Sequence, residues 1–346
     1  MDLRETMKAL CGACGPSGFE GQVAAKAREL IAPLCDETWI DRMGNVIGVR
    51  RCGKENAKRV LITAHLDEIG LIVTGHEDGF LRFAKIGGVD PRMLPDRELT
   101  ILTEPPIFGV VAALPPHVMS AEDKEKTIPI EDLRIDIGYS QEKAKKLVPV
   151  GTPISFRKDN YSLGKDFYCG TSLDDRSCFT ACMLAMELLQ GRALDCDLYI
   201  LGATVEETNS DGALTASYGI DPDFCIVVDV CQAQTTDGGP VNKDIRLGLG
   251  PSVTIGANCQ LHITRHIIEL AEKHRIPIQV SPSGGNTHTD AWPMQINSRG
   301  FNVQLLSLPN RYMHTPIEVV DVRDIQALGE LIAAAIAEPC EEVYTC

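Results

Sequence analysis

Residues 59–67, Arg59-Val-Leu-Ile-Thr-Ala-His-Leu-Asp67, place a histidine and an aspartate directly after a short apolar run. A run of this length and composition predicts a buried strand of a largely parallel sheet. Similar apolar runs occupy residues 198–204, 224–230 and 301–306, with helical segments between them. Apolar strands that alternate with helices predict an α/β fold, in which binding residues gather outside the carboxyl ends of the strands.

Residues 70–164 have a different pattern of predicted secondary structure. Short strand-like segments follow one another there, Pro and Gly separate them, and only residues 141–146 have a helical pattern. This pattern is typical of a small β-barrel or sandwich. Because 69 residues alone bury too small a core, we predict that residues 1–69 and 165–346 form one domain, into which residues 70–164 are inserted.

Local signals near the start of the sequence predict two helices and a hairpin. Ser17 and Glu20 have the spacing of a capping box ahead of a helix predicted at residues 21–31. Residues 39–49 predict two strands joined at Met43-Gly44-Asn45.

The charge and the cysteine content indicate which partners and which cellular compartment to expect. The chain has 346 residues, with 33 Lys and Arg against 48 Asp and Glu, and its formal net charge is −15. Such a charge repels phosphate backbones and anionic lipids, so neither nucleic acid nor a membrane surface is an expected partner. No apolar run approaches the roughly 20 residues of a membrane span, and no signal peptide is visible. The 13 cysteines are odd in number, and their spacing does not suggest a set of disulfide bonds. This predicts reduced thiols in a cytoplasmic protein.

Metal-binding residue types collect where the predicted strands end. In strand order they are His65 after the first run, Glu206 and Glu207 after the second, Asp229 in the third and His314 after the fourth. Asp174 and Asp175 lie in the loop where the chain returns from the insert. Imidazole and carboxylate ligands suit Zn²⁺, Co²⁺ or Mn²⁺. Because two histidines and three carboxylates exceed the need of one tetrahedral ion, the set predicts two ions that share a carboxylate.

Two short motifs suggest roles beyond ligation. Residues i and i+2 of an extended segment share a face, so Asp67 is predicted to accept a hydrogen bond from the free imidazole nitrogen of His65. Adjacent strand residues point to opposite faces, so Glu206 and Glu207 need a turn to reach one site. That turn would let one glutamate bind metal while the other acts as a general base.

Five segments are distinctive in their exact residues: Ala64-His-Leu-Asp-Glu-Ile-Gly70, Leu173-Asp-Asp-Arg176, Val205-Glu-Glu207, Val228-Asp-Val230 and Arg311-Tyr-Met-His-Thr-Pro316. Together they resemble the M42 family of metallo-aminopeptidases, which includes glutamyl aminopeptidases and the tetrahedral TET aminopeptidases. The similarity extends, in order, over roughly residues 12–325. It implies a mixed central sheet flanked by helices, as in zinc exopeptidases, with an inserted β-barrel.

The resemblance also implies a dinuclear zinc or cobalt centre. By this similarity Asp174 bridges both ions, His65 and Asp229 complete one site, and Glu207 and His314 complete the other. The implied activity is removal of the N-terminal residue from short peptides by attack of a metal-bound water.

Further roles follow from the same resemblance. Glu206 is expected to be the general base and then the proton donor to the leaving amine, while Asp67 supports His65. The Asp174–Asp175 peptide is expected to be cis. The insert is expected to mediate dimerisation, and the dimers to assemble further into a homo-oligomer, in some relatives a dodecamer.

Residues 208–213, Thr208-Asn-Ser-Asp-Gly-Ala213, depart from the family pattern, which usually has an apolar residue and then Gly there. The extra carboxylate of Asp211 suggests a preference for basic N-terminal residues. Two alternatives remain open at this point. An endoglucanase-type glycoside hydrolase would use paired carboxylates, but aromatic residues make up only 5% of the chain. A catalytically weakened assembly of the same fold would keep its metals and lose turnover.

Overall fold

In the computed structural model, which describes residues 1–122, 126–235 and 244–340, the apolar run after Arg59 lies in the middle of an eight-stranded sheet. Helices in these ranges are α1 (Leu3–Cys11), α2 (Gly21–Ile31), α3 (Gln141–Leu147), α4 (Leu173–Leu188), α5 (Asp211–Ile220), α6 (Leu261–His274), α7 (Ala291–Met294) and α8 (Val322–Ala337). Strands β1 to β9 are Glu37–Ile40, Val46–Arg50, Lys58–His65, Gly70–Glu77, Phe80–Ile86, Glu98–Ile101, Ile107–Ala112, Arg134–Asp136 and Pro153–Phe156. Strands β10 to β17 are Tyr161–Leu163, Phe167–Gly170, Cys196–Ala203, Phe224–Gln232, Ser252–Gly256, Gln279–Ser283, Asn302–Asn310 and Glu318–Asp321.

The large sheet is mixed, as predicted. Its strand order is β1-β2-β12-β3-β13-β16-β14-β15. The four central strands β12, β3, β13 and β16 are parallel, whereas β1, β2 and β14 pair antiparallel with a neighbour. The carboxyl ends of four parallel neighbours therefore meet at one edge.

Both faces of this sheet are covered, because alternate residues of its central strands enter different cores. Val60 and Ile62 of β3 pack with α1, α4, α6 and α8 on one face. Leu61 of the same strand packs with residues of α5 and α7 on the other face. Two covered faces explain why the central strands are continuously apolar rather than alternating.

The segment between β3 and α4 forms a second body. Strands β4-β5-β8-β7-β6-β9 close into an antiparallel barrel around its own apolar core. Strands β10 and β11 follow the barrel, and β11 pairs with both β10 and β17 in a three-stranded sheet. The expected α/β fold with an inserted barrel is confirmed, while the exact domain limits 69/70 and 164/165 remain predictions.

One local expectation differs from the structure, and one helix was not predicted. The predicted capping box is wrong, since Ser17 Oγ instead pairs with Thr208 Oγ1 at 3.2 Å. Glu20 accepts hydrogen bonds from the backbone N–H of Gly18 and of Val205, so its carboxylate braces a distant loop rather than its own helix. Helix α5, which no pattern in the sequence predicts, contains two glycines, one Thr and one Ser, residues with low intrinsic helix propensity.

None of the helices in the described ranges is long and apolar enough to cross a membrane.

Candidate active site

The predicted site residues lie at the shared carboxyl edge of the parallel strands. His65 is the last residue of β3 and stands opposite Ala203, the last residue of β12. Asp229 lies within β13, but the pairing of β13 with β3 ends at Val227, so Asp229 projects beyond the last pair. His314 follows the end of β16 in the loop that leads to β17.

The first cluster joins the start of α4 to two strand ends. Nε2 of His65 lies 3.0 Å from Oδ1 of Asp174. Nε2 of His314 lies 3.4 Å from Oδ2 of Asp174 and 3.4 Å from Oε2 of Glu207. Candidate ligand atoms of His65, Asp174 and Glu207 all lie within 4.8 Å of one another, which is compatible with a common cation. The two oxygens of Asp174 face different histidines, as a carboxylate between two ions requires.

A second cluster shares His65 and is more deeply buried. Ligand atoms of His65, Asp175 and Asp229 also lie within 4.8 Å of one another. The peptide between Asp174 and Asp175 is cis, as the resemblance implied, and both carboxylates belong to the site. Asp175 accepts a hydrogen bond from the backbone N–H of His65 through Oδ2, whereas its buried Oδ1 has no partner among the described residues.

A turn directs both glutamates to the same site. Val205 adopts φ +63°, a conformation that β-branched residues rarely take, directly after β12. The Asp67 carboxylate accepts the next two backbone N–H groups, from Glu206 at 3.1 Å and Glu207 at 3.0 Å. Asp67 is fully buried, so these two hydrogen bonds fix the turn in a low-dielectric setting.

Asp67 contacts His65 differently from the expectation. Nδ1 of His65 lies 3.2 Å from the backbone carbonyl oxygen of Asp67 and 3.4 Å from its Oδ1. The hydrogen bond expected at the carboxylate is therefore made at the carbonyl, because the carboxylate is turned toward the Glu206–Glu207 backbone. The contact still leaves Nε2 of His65 directed at the acidic cluster.

The carboxylates are too crowded for all of them to ionise without a compensating cation. Burial raises the pKa of Glu206 to about 10, and the charge of Asp229 adds to this effect. Burial and the neighbouring acids also raise the pKa of Glu207 and of Asp229 well above the usual range. Asp174 is the exception, because hydrogen bonds from His314 and His65 outweigh burial and lower its pKa. A dication between such groups restores their charged forms, so the donor set fits a metal centre.

The clusters open into a cleft of about 830 Å³. Its lining beyond the charged clusters is mostly neutral and polar, with Val230, Trp292, Pro293, Leu305 and Met313 among its apolar members. His288 lines this cleft, whereas Asp211 is not among its lining residues. Asp211 is exposed and accepts a hydrogen bond from Asn209 at 2.7 Å. Because Asp211 lies outside the cleft lining and binds Asn209, its carboxylate does not support the suggested preference for basic N-terminal residues.

Some residues at the site carried little or no sequence signal. Asp175 stands beside Asp174 in the segment Leu173-Asp-Asp-Arg176, but no pattern assigned it a role of its own. Asp290 is buried, its Oδ1 has no hydrogen-bond partner within the described part of the chain, and burial raises its pKa to about 7. Glu318 accepts hydrogen bonds from the backbones of Asp174 and His314, a role visible only once the chain is folded.

Comparison with known proteins agrees with this geometry. The sequence matches the model of a family described as M42 glutamyl aminopeptidase over residues 44–331. The chain belongs to this M42 family. It is 36% identical to a lysyl aminopeptidase of Pyrococcus furiosus over 341 residues, which cover 96% of each chain.

Solved structures of similar M42-type proteins have the same fold. An aminopeptidase of the archaeon Desulfurococcus kamchatkensis superposes with a TM-score of 0.89 at 34% identity, covering 99% of this chain and 96% of the other. The TET1 peptidase of Pyrococcus horikoshii, which can assemble into a tetrahedron or a large octahedral shell, superposes with a TM-score of 0.86 at 31% identity. That match covers 97% of this chain and 100% of the other. Membership of the M42 family confirms the expected enzyme class, a hydrolase acting on N-terminal residues of peptides.

Proposed function

We propose that this M42 protein is a dinuclear metal-dependent aminopeptidase that removes single residues from the N-termini of short peptides. The observation that supports this most is the convergence of imidazole and carboxylate groups at one sheet edge, with ligand atoms inside 4.8 Å in two overlapping clusters. The proposed ligands are His65, Asp174, Glu207, Asp229 and His314. In this assignment Asp174 is shared, His65 and Asp229 hold one ion, and Glu207 and His314 hold the other.

Zinc or cobalt suits this mixture of nitrogen and oxygen donors. When bound, the ions supply Lewis acidity, polarising the peptide carbonyl and lowering the pKa of water toward neutrality. Asp175, which the second cluster includes, is assigned to holding His65 through the backbone N–H rather than to ligation.

Glu206 is the proposed general base. Its Oε2 lies 3.8 Å from Nε2 of His65, so the carboxylate borders the proposed ions. It lines the cleft and is not part of either ligand cluster, which leaves it free to exchange a proton. Glu206 would take a proton from the attacking water and deliver it to the departing amine nitrogen, so no net proton is left on the enzyme.

Asp67 acts through the segments around it. It orients the glutamate turn through two backbone hydrogen bonds and His65 through its carbonyl. We therefore assign Asp67 a supporting role in catalysis, since it does not line the cleft.

The glycoside hydrolase alternative finds no support at the site. Trp292 is the sole aromatic residue among the described cleft-lining residues, and the histidines would have no task in sugar hydrolysis. A catalytically weakened assembly is also disfavoured, because the altered 208–211 loop keeps Glu206 and Glu207 at the cleft.

We further propose that the chain works as a cytoplasmic homo-oligomer. Cys11, Cys178, Cys182 and Cys225 are buried free thiols, which suits a reducing compartment. The assembly of the Pyrococcus horikoshii relative supports oligomerisation, and we assign residues 70–164 as the dimerisation domain and residues 1–69 and 165–346 as the catalytic domain.

The test is to incubate the purified protein with peptides that have free or acetylated N-termini. Apoprotein prepared with a chelator is compared with protein supplied with Zn²⁺ or Co²⁺, and the products are read by mass spectrometry. We expect metal-dependent loss of single residues from the free peptides alone. Internal cleavage, or equal cleavage of acetylated peptides, would contradict an aminopeptidase.

A further inference from the structure

Glu318 is a buried carboxylate that binds two separate ligand-bearing segments. It is the first residue of β17 and is 2% exposed. Its Oε2 accepts the backbone N–H of Asp174 at 3.0 Å, and its Oε1 accepts the backbone N–H of His314 at 3.3 Å. One side chain thus joins the start of α4 to the loop between β16 and β17.

The loop that carries His314 has a backbone conformation that needs outside support, and Asp174 interrupts the regular geometry of its helix. Asp174 lies at the start of α4 but departs from helical geometry, with φ −75° and ψ 106°. His314 adopts φ +60°, and Tyr312 in the same loop adopts φ +65°. Residues other than glycine adopt such positive φ angles only at a cost in free energy, so the loop needs contacts that hold it there.

The side chain of His314 is the least enclosed of the proposed ligands. It is 40% exposed, whereas Asp174 and Glu207 are nearly buried at 7% and 4%. Packing around its ring therefore holds it less firmly than the other ligands, and the backbone contact to Glu318 gains importance. The strand register supports this contact, because β17 pairs Glu318 with Gly170 just ahead of the Asp174 loop.

We propose that Glu318 is a positioning residue that sets the distance between Asp174 and His314 and thereby determines affinity for the ion held by Glu207 and His314. This inference rests on the proposed dinuclear function. Glutamine at position 318 keeps the size of the side chain but replaces one acceptor oxygen with an NH₂ group. One of the two backbone N–H groups then faces a donor and loses its partner.

The first experiment titrates metal-free protein with Zn²⁺ against a competing chelating dye. Wild type is expected to take up two ions. Glu318→Gln is expected to bind the ion at Glu207 and His314 about 10- to 100-fold more weakly, the usual effect of losing an outer-shell contact. The other ion, which shares only Asp174 with that contact, should be weakened less. Titration with Co²⁺, followed by visible absorption, reports the coordination of the weakened site independently of turnover.

Asp324 provides a matched control. It is also a buried carboxylate, 1% exposed, that accepts two backbone N–H groups, from Gly248 at 2.7 Å and Gly250 at 2.8 Å. It lies in α8 and contacts no ligand-bearing segment among the described hydrogen bonds. Asp324→Asn should therefore lower the unfolding free energy while leaving both ions bound as in wild type.

Each outcome decides the inference. Two ions bound at wild-type affinity in Glu318→Gln, or equal metal loss in Asp324→Asn, would overturn it. If Glu318→Gln does not fold, Glu318→Asp takes its place, since a shorter carboxylate keeps both acceptors and should weaken the ion at Glu207 and His314 less. A wild-type chain that takes up no pair of ions would instead refute the dinuclear function itself.

Discussion

At the residue scale, neighbouring glutamates acquire different tasks from their surroundings. Glu207 lies within reach of His65, Asp174 and His314, whereas Glu206 reaches only the edge of that cluster. The adjacent pair Glu206-Glu207 predicts a turn that lets one residue bind metal and the other act as a base. The structure has that turn, and the Asp67 carboxylate holds it through both backbone N–H groups.

Replacing Glu206 with glutamine should abolish most turnover without removing metal. Glutamine has nearly the same shape but cannot accept the proton of the attacking water. We expect kcat to fall by about 10²- to 10⁴-fold, the usual contribution of general acid–base catalysis. Steady-state kinetics combined with metal analysis of the same preparation measures both quantities.

Asp211→Asn is the control for this change, because Asp211 belongs to the same loop but is exposed and absent from the cleft lining. It should retain kcat within about twofold, as surface substitutions usually have small effects. Normal turnover in Glu206→Gln would refute its assignment as the base.

At the scale of elements, a buried charge cluster joins the barrel to the main sheet. Glu68 lies between β3 and β4, where the chain enters the barrel, and pairs with Lys158, where the chain leaves it. Oε1 of Glu68 also accepts hydrogen bonds from Ser155 of β9 and from the backbone of Gly15. Ser172, just before α4, completes the cluster as a further donor to Glu68.

This cluster should make the protein acid-sensitive. Although burial opposes the shift, Lys158 and Arg176 lower the pKa of Glu68 from 4.5 to about 2. A carboxylate with a depressed folded-state pKa stabilises the fold above pH 4.5 and loses that contribution as the pH falls toward 2. The difference corresponds to roughly 3 kcal/mol.

Denaturant unfolding of wild type and Glu68→Gln at several pH values tests this expectation. At pH 7 the variant should be less stable by about 3 kcal/mol or more, because Lys158 and Arg176 remain buried with a neutral partner. Its stability should also fall less than that of wild type between pH 4.5 and pH 2. Parallel pH profiles for the two proteins would contradict a role for Glu68.

Glu98→Gln is the control for this pair, since Glu98 binds Arg157 on the surface, where the side chains are 46% and 52% exposed. Exposed pairs of this kind contribute about 0–1 kcal/mol. The control should therefore differ little from wild type at either pH.

At the scale of the whole molecule, the charge distribution bears on substrate choice. Among the described residues that line the cleft there is no Lys or Arg, and the chain has a formal net charge of −15. An acidic N-terminal side chain would enter this cleft without a cationic partner from that lining. Like charges brought together in a binding site are unfavourable.

We therefore expect peptides that begin with Glu to be poor substrates compared with otherwise identical peptides that begin with Leu. A difference in kcat/KM of at least about tenfold corresponds to 1.4 kcal/mol of lost binding in the transition state. A panel of peptides with Leu, Lys or Glu at the N-terminus measures it. Preferred cleavage of the Glu peptide would overturn this expectation.

Exposed apolar residues on the inserted segment are candidates for the contact between subunits. Phe108 and Leu114 belong to the inserted segment and are 57% and 66% exposed. We expect Leu114→Asp to reduce the molar mass measured by light scattering, because a charge at an apolar contact opposes association. Ile296, which is 75% exposed but lies outside the insert, provides the comparison through Ile296→Asp. If only Ile296→Asp lowers the mass, the insert is not the main subunit contact.

The sequence by itself determined the class of fold and the edge where the site lies. Apolar runs ending in His65 and Asp229, and the pair after Thr204, are local patterns, and parallel strands bring such ends together in any doubly covered sheet. Tertiary structure alone decided how these ligands are held. Asp67 binds the Glu206–Glu207 turn, Glu68 binds Lys158, and Glu318 binds Asp174, in each case across tens of residues or more. Hydrogen bonds between distant segments depend on packing that no local spacing encodes, so these three carboxylates gave no signal of their partners until the chain was folded.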